Sequence, residues 1–250
     1  MATVDDDDNN SDNEILFVLT GFGPFRGVQE NPTTAIADKI MDHLQTTGRE
    51  TLAASMMKPV VLEVSAKAVR DHIDQLFHEL DRQDENELSS SSDNDTTGRT
   101  GASPRTIVLI HMGVNYKGKA FQLERIAYNE ASFRVPDEQG YQPMKEQINP
   151  DRPFGDALET CLDVRRIRES LQDDRFVLSG DAGRFVCNYT YFCSMDTFHC
   201  CRPKADATKD RYSLFFHVPP LTVFSLEEQL EGTARLLEAI HEHLRMKRNQ

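Results

Sequence analysis

Short apolar runs alternate along this chain with longer segments whose apolar residues recur every three or four positions. The first run, residues 15–19, is continuously apolar, which is typical of a strand buried on both faces of a parallel sheet. After a glycine-rich turn, Asn31 can cap a helix and Pro32 can occupy its first position. This strand–turn–helix order constrains the fold strongly, because it is the repeating unit of layered α/β proteins.

The same alternation continues to the end of the chain. Further strands are predicted at 59–64, 106–111, 121–128, 176–178 and 213–218, and helices at 32–44, 69–80, 164–171, from about residue 182 onward and at 226–244. Residues 134–153 contain several prolines and little periodicity, which predicts an ordered excursion over the surface. We therefore expect an α/β fold, a three-layer α/β/α sandwich with a mostly parallel central sheet.

Two segments have compositions typical of disorder: the acidic start at 1–13 and a stretch at 84–103 rich in Asp, Asn, Ser, Thr and Gly. Because the second lies between two strongly patterned stretches, we interpret it as an insertion inside one domain, which loop entropy tolerates well. We expect a disordered N-terminus at 1–13 and a single domain at 14–247 that carries a disordered insertion at about 84–103.

The charge balance restricts the possible partners. The chain has 28 Lys and Arg against 41 Asp and Glu, a formal net charge of −13, and such a surface repels phosphate backbones and anionic lipid. No apolar run approaches the ~20 residues that cross a bilayer, and residues 1–13 lack the pattern of a secretory or transit signal. We expect a cytoplasmic protein without nucleic-acid or membrane partners.

Cysteine usage gives no sign of a structural framework. The five cysteines are an odd number and contain no Cys-x-x-Cys pair, so neither a set of disulfides nor a zinc site is indicated. We expect all five to be free thiols in a reducing compartment. The sequence His241-Glu242-His243 does not predict a metal site, because residues two apart on a helix face different directions. We expect no metal and no cofactor.

Candidate reactive groups follow the predicted strands, since the sites of open parallel sheets lie beyond the carboxyl ends of the strands. Cys187 lies in a turn that opens a helix, where the helix dipole and free amides favour the thiolate and can hold an oxyanion. His217 interrupts an apolar strand before two prolines, and Glu124 lies in an apolar segment where it can orient a histidine. For either Cys187 or His217 alone, a buried thiol or a hydrogen-bonded structural histidine is the commoner outcome. As a set, the three residues indicate nucleophilic catalysis.

The glycine-rich turn at 20–27 has two interpretations. Its glycines are spaced unlike those of a dinucleotide site, and Pro24 with two phenylalanines stands where open backbone amides would be needed. Phe22 and Phe25 therefore form either an aromatic wall for a flat, uncharged ligand or core residues under a tight turn. A nucleotide-dependent α/β enzyme is a less favoured alternative.

Five motifs follow one another along the chain: Thr20-Gly21-Phe22-Gly23-Pro24-Phe25, Asn31-Pro32, Glu124-Arg125-Ile126-Ala127, Asp181-Ala182-Gly183-Arg184-Phe185-Val186-Cys187-Asn188 and Phe216-His217-Val218-Pro219-Pro220. In this order they resemble the type I pyroglutamyl peptidases, also called pyrrolidone-carboxylate peptidases, a family of cysteine peptidases. The resemblance implies Cys187 as nucleophile, His217 as general base and acid, and Glu124 as the residue that orients the histidine.

The resemblance also implies a substrate pocket. Phe22 and Phe25 would sandwich a pyrrolidone ring, Asn31 would hold their turn, and Arg134 would lie near the acyl oxygen. Many bacterial relatives have Gly-Gln-Ala-Gly-Gly-Arg after the third strand, where this chain has Gly113-Val114-Asn115-Tyr116-Lys117-Gly118. Val114 thus stands where a polar contact would be.

The implied activity is hydrolysis of the amide bond after an N-terminal pyroglutamyl residue of small peptides, through a thioester acyl-enzyme. It needs a reduced thiol and no cofactor, and it is compatible with a monomer or a homo-oligomer. A catalytically inactive binding protein on the same fold is the alternative.

Overall fold

The structure is a computed structural model that describes residues 15–90, 106–198 and 210–248, with side chains described as far as residues 82 and 247 in the first and last of these ranges. Within them the chain forms eight strands and six helices. In chain order these are β1 (Ile15–Phe22), α1 (Pro32–Thr46), α2 (Glu50–Ala54), β2 (Val60–Leu62), α3 (Ala66–Ser90), β3 (Thr106–Val114), β4 (Phe121–Glu124), β5 (Ile126–Tyr128), β6 (Ala157–Glu159), α4 (Val164–Leu171), β7 (Phe176–Ser179), α5 (Val186–Thr197), β8 (Arg211–Val218) and α6 (Leu226–Arg248).

The central sheet has six strands in the order β2-β1-β3-β8-β4-β7. The strands β2, β1, β3 and β8 are parallel to one another, whereas β4 runs antiparallel to β8 and parallel to β7. The short strands β5 and β6 form a separate antiparallel pair. The predicted, mostly parallel sheet is confirmed.

Helices cover both faces of this sheet. The apolar residues of β1 alternate between the two cores, so that Phe17 and Leu19 pack with α1, α2, α4 and α6, while Leu16 and Val18 pack with α3 and α5. This alternation is what a strand buried on both faces requires, and it confirms the three-layer α/β/α sandwich. No helix within the three described ranges is long and apolar enough to cross a membrane.

The first strand–helix unit forms as predicted. Asn31 is the N-cap of α1, where its side chain accepts a hydrogen bond from the Thr33 amide, and Pro32 occupies the first turn. Ile36 and Leu44 are fully buried against the sheet. A side-chain cap and a proline at the helix start satisfy or remove amides that would otherwise lack partners.

Several element ends differ from the predicted ones by a few residues, and two of these differences bear on the site. The strand predicted at 121–128 divides at Arg125, whose amide donates to the Ser179 carbonyl beside β4 at 2.7 Å and whose carbonyl accepts from the Thr160 amide after β6 at 2.9 Å. The helix predicted from about Ala182 begins only at Val186. Gly183 has a φ of +79°, a left-handed conformation that interrupts a right-handed helix.

The predicted insertion at about 84–103 overlaps α3, which continues to Ser90. Acidic composition alone did not predict this, because Glu and Leu are good helix formers wherever a preceding helix supplies the first turns. The remainder of the insertion and residues 1–13 lie outside the described residues. The domain boundaries stay a prediction.

The predicted excursion at 134–153 is an ordered loop, and two buried side chains hold it. The Asn129 side-chain amide donates to the carbonyls of Asn149 at 2.9 Å and Arg152 at 3.1 Å. Asp137 accepts a 2.9 Å hydrogen bond from the Ala66 amide at the start of α3. The excursion therefore both follows the surface and caps a helix of the sandwich.

Cys161 forms a disulfide bond, so the prediction of five free thiols is wrong. An odd number of cysteines leaves at least one thiol unpaired, but it does not prevent one pair from meeting in the folded chain. Cys187 and Cys193 are free thiols.

Candidate active site

A cleft of about 850 Å³ opens beyond the carboxyl ends of β1, β3 and β8. Glu124, Cys187 and His217 all line it, although 93 positions separate Glu124 from His217. The three residues predicted to act together are thus brought into one cavity.

The contact between His217 and Glu124 depends on the reversal of β4. In the antiparallel register of β4 and β8, Gln122 lies opposite His217. Glu124 is two residues further along the strand, so it projects from the same face of the sheet. Its Oε1 lies 2.8 Å from His217 Nδ1, and the two residues are 0% and 6% exposed. The carboxylate therefore fixes the ring orientation and directs Nε2 away from Glu124.

Cys187 reaches the same place from the first turn of α5. The following residue, Asn188, is completely buried, and its side chain donates to the carbonyls of Tyr128 at 2.8 Å and Glu130 at 3.0 Å. The N-cap residue Phe185 supplies no side-chain hydrogen bond. The first-turn amides beside Cys187 lack intrahelical partners, as at any helix start, and they can bind a developing oxyanion.

The loop between β7 and α5 brings Cys187 to His217 by a path that differs from the predicted one. The separation of 30 positions between Cys187 and His217 predicts that they lie at adjacent strand ends. This prediction is wrong, because β4 lies between β8 and β7 in the sheet, and β7 runs in the same direction as β4 and thus opposite to β8. Residues 180–185 lead the chain back from β7 to the start of α5. The nucleophile meets the histidine through this return and not through neighbouring parallel strand ends.

Gly113 provides the space that the sulfur occupies. It lies on β3 in register with His217, and a Cβ at this position would stand 2.9 Å from two ring carbons of Phe215 and 3.0 Å from Cys187 Sγ. Real Cβ contacts essentially never come so close to packed atoms. Gly113 was not among the residues predicted to form the site, although a glycine at the end of an apolar strand indicates a close approach of another group.

Replacing Gly113 with alanine is expected to lower kcat by about 100-fold, because a displacement of about 1 Å at a reacting atom costs that much. The measurement is the steady-state rate together with the thermal unfolding midpoint. Gly180→Ala is the matched control, since a Cβ there meets only Ile126 Cδ1 at 4.0 Å in the loop that leads to Cys187. Equal losses in the two variants would contradict the role given to Gly113.

The electrostatics of His217 differ from those of His111, which is buried within β3. Burial lowers the pKa of His217, but its interactions with Cys187 and with Glu124 outweigh this and raise the pKa to about 9. The imidazole therefore carries a proton at neutral pH and can stabilise a thiolate. Burial, followed by repulsion from His72, lowers the pKa of His111 to about 3, so that His111 stays neutral beside Thr20.

Aromatic rings form one wall of the cleft. Phe25 lines it together with Phe185, with 6.3 Å between the ring centroids. Asn31 lies behind this wall and donates to the Gly23 carbonyl at 3.0 Å, so it holds the turn. Phe22 is 3% exposed, packs in the core under α3 and is not among the lining residues. The structure thus brings one of the two predicted phenylalanines to the cleft. Phe185, which was not predicted as a pocket residue, forms the wall with it.

The two remaining predicted residues, Val114 and Arg134, also line the cleft. Val114 lies at the end of β3, where it pairs in register with Val218. Arg134 is exposed at the start of the ordered excursion. Their proposed parts in binding stay predictions.

The geometry of the turn after β1 does not support a nucleotide site. The first turn of α1 is closed by its own side chains, because the Thr33 amide donates to Asn31 Oδ1 at 3.1 Å and the Thr34 hydroxyl donates to the Phe22 carbonyl at 2.7 Å. A phosphate would have to displace these bonds, which disfavours the nucleotide-dependent alternative. Over the part of the chain that the structure describes, no group of three or more His, Cys, Asp or Glu residues is placed to hold a metal ion.

A thiol at a helix start, a buried imidazole and a carboxylate that orients it form the arrangement that cysteine-dependent acyl transfer requires. The family model described as pyroglutamyl peptidase matches residues 89–240, which is more than half of the chain and includes Glu124, Cys187 and His217. The chain belongs to the pyroglutamyl peptidase family of cysteine peptidases.

Individual relatives agree with this assignment. The chain is 29% identical over 204 residues to the pyrrolidone-carboxylate peptidase of Thermococcus litoralis, which covers 81% of this chain and 75% of the relative. It is 27% identical over 234 residues to the enzyme of the same name from Vibrio campbellii, with 89% and 91% covered. The solved structure of the Thermococcus litoralis pyrrolidone carboxyl peptidase superimposes with a TM-score of 0.67 at 23% identity, covering 94% of this chain and 96% of that one, and it shows the same fold.

Proposed function

We propose that this chain hydrolyses the amide bond that follows an N-terminal pyroglutamyl (5-oxoprolyl) residue of peptides. Cys187 is the nucleophile, His217 the general acid and base, and Glu124 the residue that orients the histidine. The observation that carries the proposal is the 2.8 Å contact between His217 and Glu124 beside Cys187, in a member of the pyroglutamyl peptidase family.

The first half of the reaction forms a thioester. The Cys187 thiolate attacks the carbonyl carbon of the pyroglutamyl residue, and the first-turn amides of α5 bind the oxygen as it becomes negative. His217 then gives its proton to the departing nitrogen as the C–N bond breaks. A histidine with a pKa of about 9 is protonated at neutral pH, so the acid is in place before the substrate binds.

The second half regenerates the enzyme. His217, now neutral, takes a proton from water while the water oxygen attacks the thioester carbonyl. The C–S bond breaks, pyroglutamate leaves, and the thiolate and imidazolium are restored. This cycle uses a reduced thiol and no metal or organic cofactor.

The walls of the cleft suit the proposed acyl group. A pyroglutamyl ring is flat and has lost its charged amine, so aromatic side chains such as Phe25 and Phe185 can pack on it without burying a charge. A cleft that excludes a charged amine discriminates strongly, because burial of an unpaired ion is costly. Peptides with a free N-terminal amine are therefore excluded.

The direct test is release of a fluorescent amine from a pyroglutamyl amide, with a prolyl amide as the control substrate. We expect cleavage of the pyroglutamyl amide alone, dependence on reductant and loss after thiol alkylation. Absence of cleavage by folded, reduced protein would contradict the proposal and leave a binding protein on the same fold. The cytoplasmic location and the oligomeric state stay predictions.

The two phenylalanines of the first turn should respond differently to truncation. Phe25→Ala is expected to raise KM about tenfold with little change in the unfolding midpoint, because one aromatic contact in a pocket is worth roughly 1 to 2 kcal/mol. Phe22→Ala should instead destabilise the fold by about 3 to 5 kcal/mol, the usual cost of removing a buried phenyl group. Steady-state kinetics and urea unfolding of both variants measure this. A Phe22 variant with intact stability and a raised KM would place Phe22 in the pocket after all.

A further inference from the structure

Three cationic residues line the cleft without a counter-charge. Arg26, Lys117 and Arg134 are exposed lining residues, and the structure shows no ion pair from their side chains to any other described residue. The chain as a whole carries a net charge of −13. Three unpaired cations in one cavity of so acidic a protein create a local positive potential, which low-dielectric walls concentrate.

The acidic groups of the cleft do not neutralise these cations. Glu124 is bonded to His217 at 2.8 Å, and Asp181 is paired with Arg184 at 2.6 Å. Arg184 also pairs with Glu130 at 3.1 Å. The charges left available to a ligand are therefore positive.

Lys117 is held in place by a structured turn. The Asn115 amide donates to the Val218 carbonyl at 2.9 Å, and Asn115 Oδ1 accepts from the Lys117 amide at 3.1 Å. The Asn115 side-chain amide also donates to Gln122 Oε1 at 2.5 Å. The backbone of Lys117 is therefore fixed at the edge of the cleft, which Lys117 lines.

Arg26 lies in the turn that follows β1, and its backbone is held by hydrogen bonds. The backbones of Phe25 and Val28 exchange two hydrogen bonds, of 3.1 and 2.7 Å, and the Arg26 amide donates to Glu138 Oε1 at 3.1 Å. Glu138 thus bonds the backbone of Arg26, while the structure records no ion pair between Glu138 and its guanidinium. The guanidinium remains able to bind an anion.

The cleft has more room than the proposed acyl group needs. A pyroglutamyl group has only about eight non-hydrogen atoms, and at no more than a water's share of about 30 Å³ each it occupies at most about 240 Å³. The cavity volume is about 850 Å³. Most of it is therefore left for the part of the peptide that follows the scissile bond.

We propose that Arg26 and Lys117 bind a carboxylate in the leaving-group part of the substrate, so that the preferred substrates are short pyroglutamyl peptides with a carboxylate next to the scissile bond. The inference rests on the proposed function. The carboxylate comes from an acidic second residue or from the free carboxyl end of a dipeptide. Solvent-exposed ion pairs are individually weak, and two of them focused in a cleft give an expected preference of about three- to tenfold in kcat/KM.

The test compares four peptides: one neutral reference, and three that each differ from it in charge at either the second side chain or the carboxyl end. Pyroglutamyl-Glu-amide and pyroglutamyl-Gln-amide have nearly the same shape and differ in the side-chain charge, while pyroglutamyl-Gln with a free carboxyl end tests the terminal source. Pyroglutamyl-Lys-amide reverses the charge. Release of pyroglutamate is measured at low and at high salt, because the Debye length falls from about 30 Å at 0.01 M to about 3 Å at 1 M. We expect both carboxylate peptides to exceed the neutral amide at low salt, the Lys peptide to fall below it, and the differences to shrink at 1 M.

Matched variants assign the preference to particular residues. Lys117→Gln and the double variant Arg26→Gln with Lys117→Gln should reduce the ratio of Glu to Gln peptide rates towards one, and Lys117→Arg should keep it. Lys119→Gln is the control, because Lys119 is exposed in the same loop and does not line the cleft. A ratio of one in the unaltered enzyme, or an equal fall in the Lys119 variant, overturns the inference while cleavage of the neutral amide still supports the peptidase. If none of the four peptides is cleaved, both the carboxylate preference and the proposed peptidase function are overturned.

Discussion

Cys187→Ala is expected to lower the turnover of a pyroglutamyl amide by at least about 10⁴-fold, the loss typical when a covalent nucleophile is removed. The reason is that no thioester can form, and the remaining amides and aromatic wall only bind the substrate. Because Cys187 is half-buried in a cleft, its truncation should shift the thermal midpoint by a few degrees at most. Both quantities are measured on the same purified protein.

Cys193 supplies the control for this substitution. It lies six positions further along α5 and is 1% exposed, and burial raises the pKa of its thiol to about 12. It is therefore an unreactive thiol inside the core, and Cys193→Ala should keep its turnover while losing some stability. Substantial turnover by the Cys187 variant, or comparable loss in the Cys193 variant, would refute the assignment of the nucleophile.

His217→Ala should reduce turnover by a similar factor, because both the leaving amine and the attacking water then lack a positioned proton carrier.

In the intact enzyme, the rate is expected to fall as the pH rises through about 9, where His217 loses its proton. Glu124→Gln removes an interaction that raises the pKa of His217, so this alkaline fall should move to lower pH. The measurement is a pH profile of kcat/KM for the intact enzyme and the Glu124 variant. His78→Ala, at an exposed site on α3, is the control for His217→Ala and should keep the turnover of the intact enzyme.

The same pKa predicts the direction of a stability change. The folded-state pKa of about 9 lies above the 6.5 of an unperturbed imidazole, so the folded protein binds this proton more tightly than the unfolded chain. The resulting stabilisation is fully present below about pH 6.5 and is lost as the pH rises through about 9. If the alkaline fall of kcat/KM comes at the same pH in Glu124→Gln as in the intact enzyme, the role given to the carboxylate is contradicted.

Local sequence patterns predicted the layers of this fold, because an element buried on one or two faces has a recognisable pattern of apolar residues. The continuous run at 15–19 and the helical spacing of Ile36 and Leu44 both record which faces of an element meet the core. Cys187 and His217 could be selected for a similar reason, since a reactive side chain at a strand or helix end interrupts an otherwise regular pattern. Glu124 was visible as a charge among apolar residues.

The pattern of apolar residues does not depend on strand direction, so the reversal of β4 and β7 could not be predicted from periodicity. The role of Gly113 was also hidden, because it depends on a sulfur 74 positions away that approaches β3 only in the folded chain. Phe22 and Phe25 have the same residue type three positions apart, and only the turn between them determines that one ring faces the core and the other the cleft.

The junction between β8 and β4 also determines when activity can appear during refolding. His217 belongs to the four parallel strands of the sheet and Glu124 to the reversed pair, and their contact spans 93 positions of the chain. Pairings of such long sequence separation form slowly, because loop-closure entropy opposes them until the rest of the structure is in place. Recovery of peptidase activity is therefore a late reporter of folding in this chain. A refolding sample can regain its helical signal while its catalytic base still lacks the carboxylate that orients it.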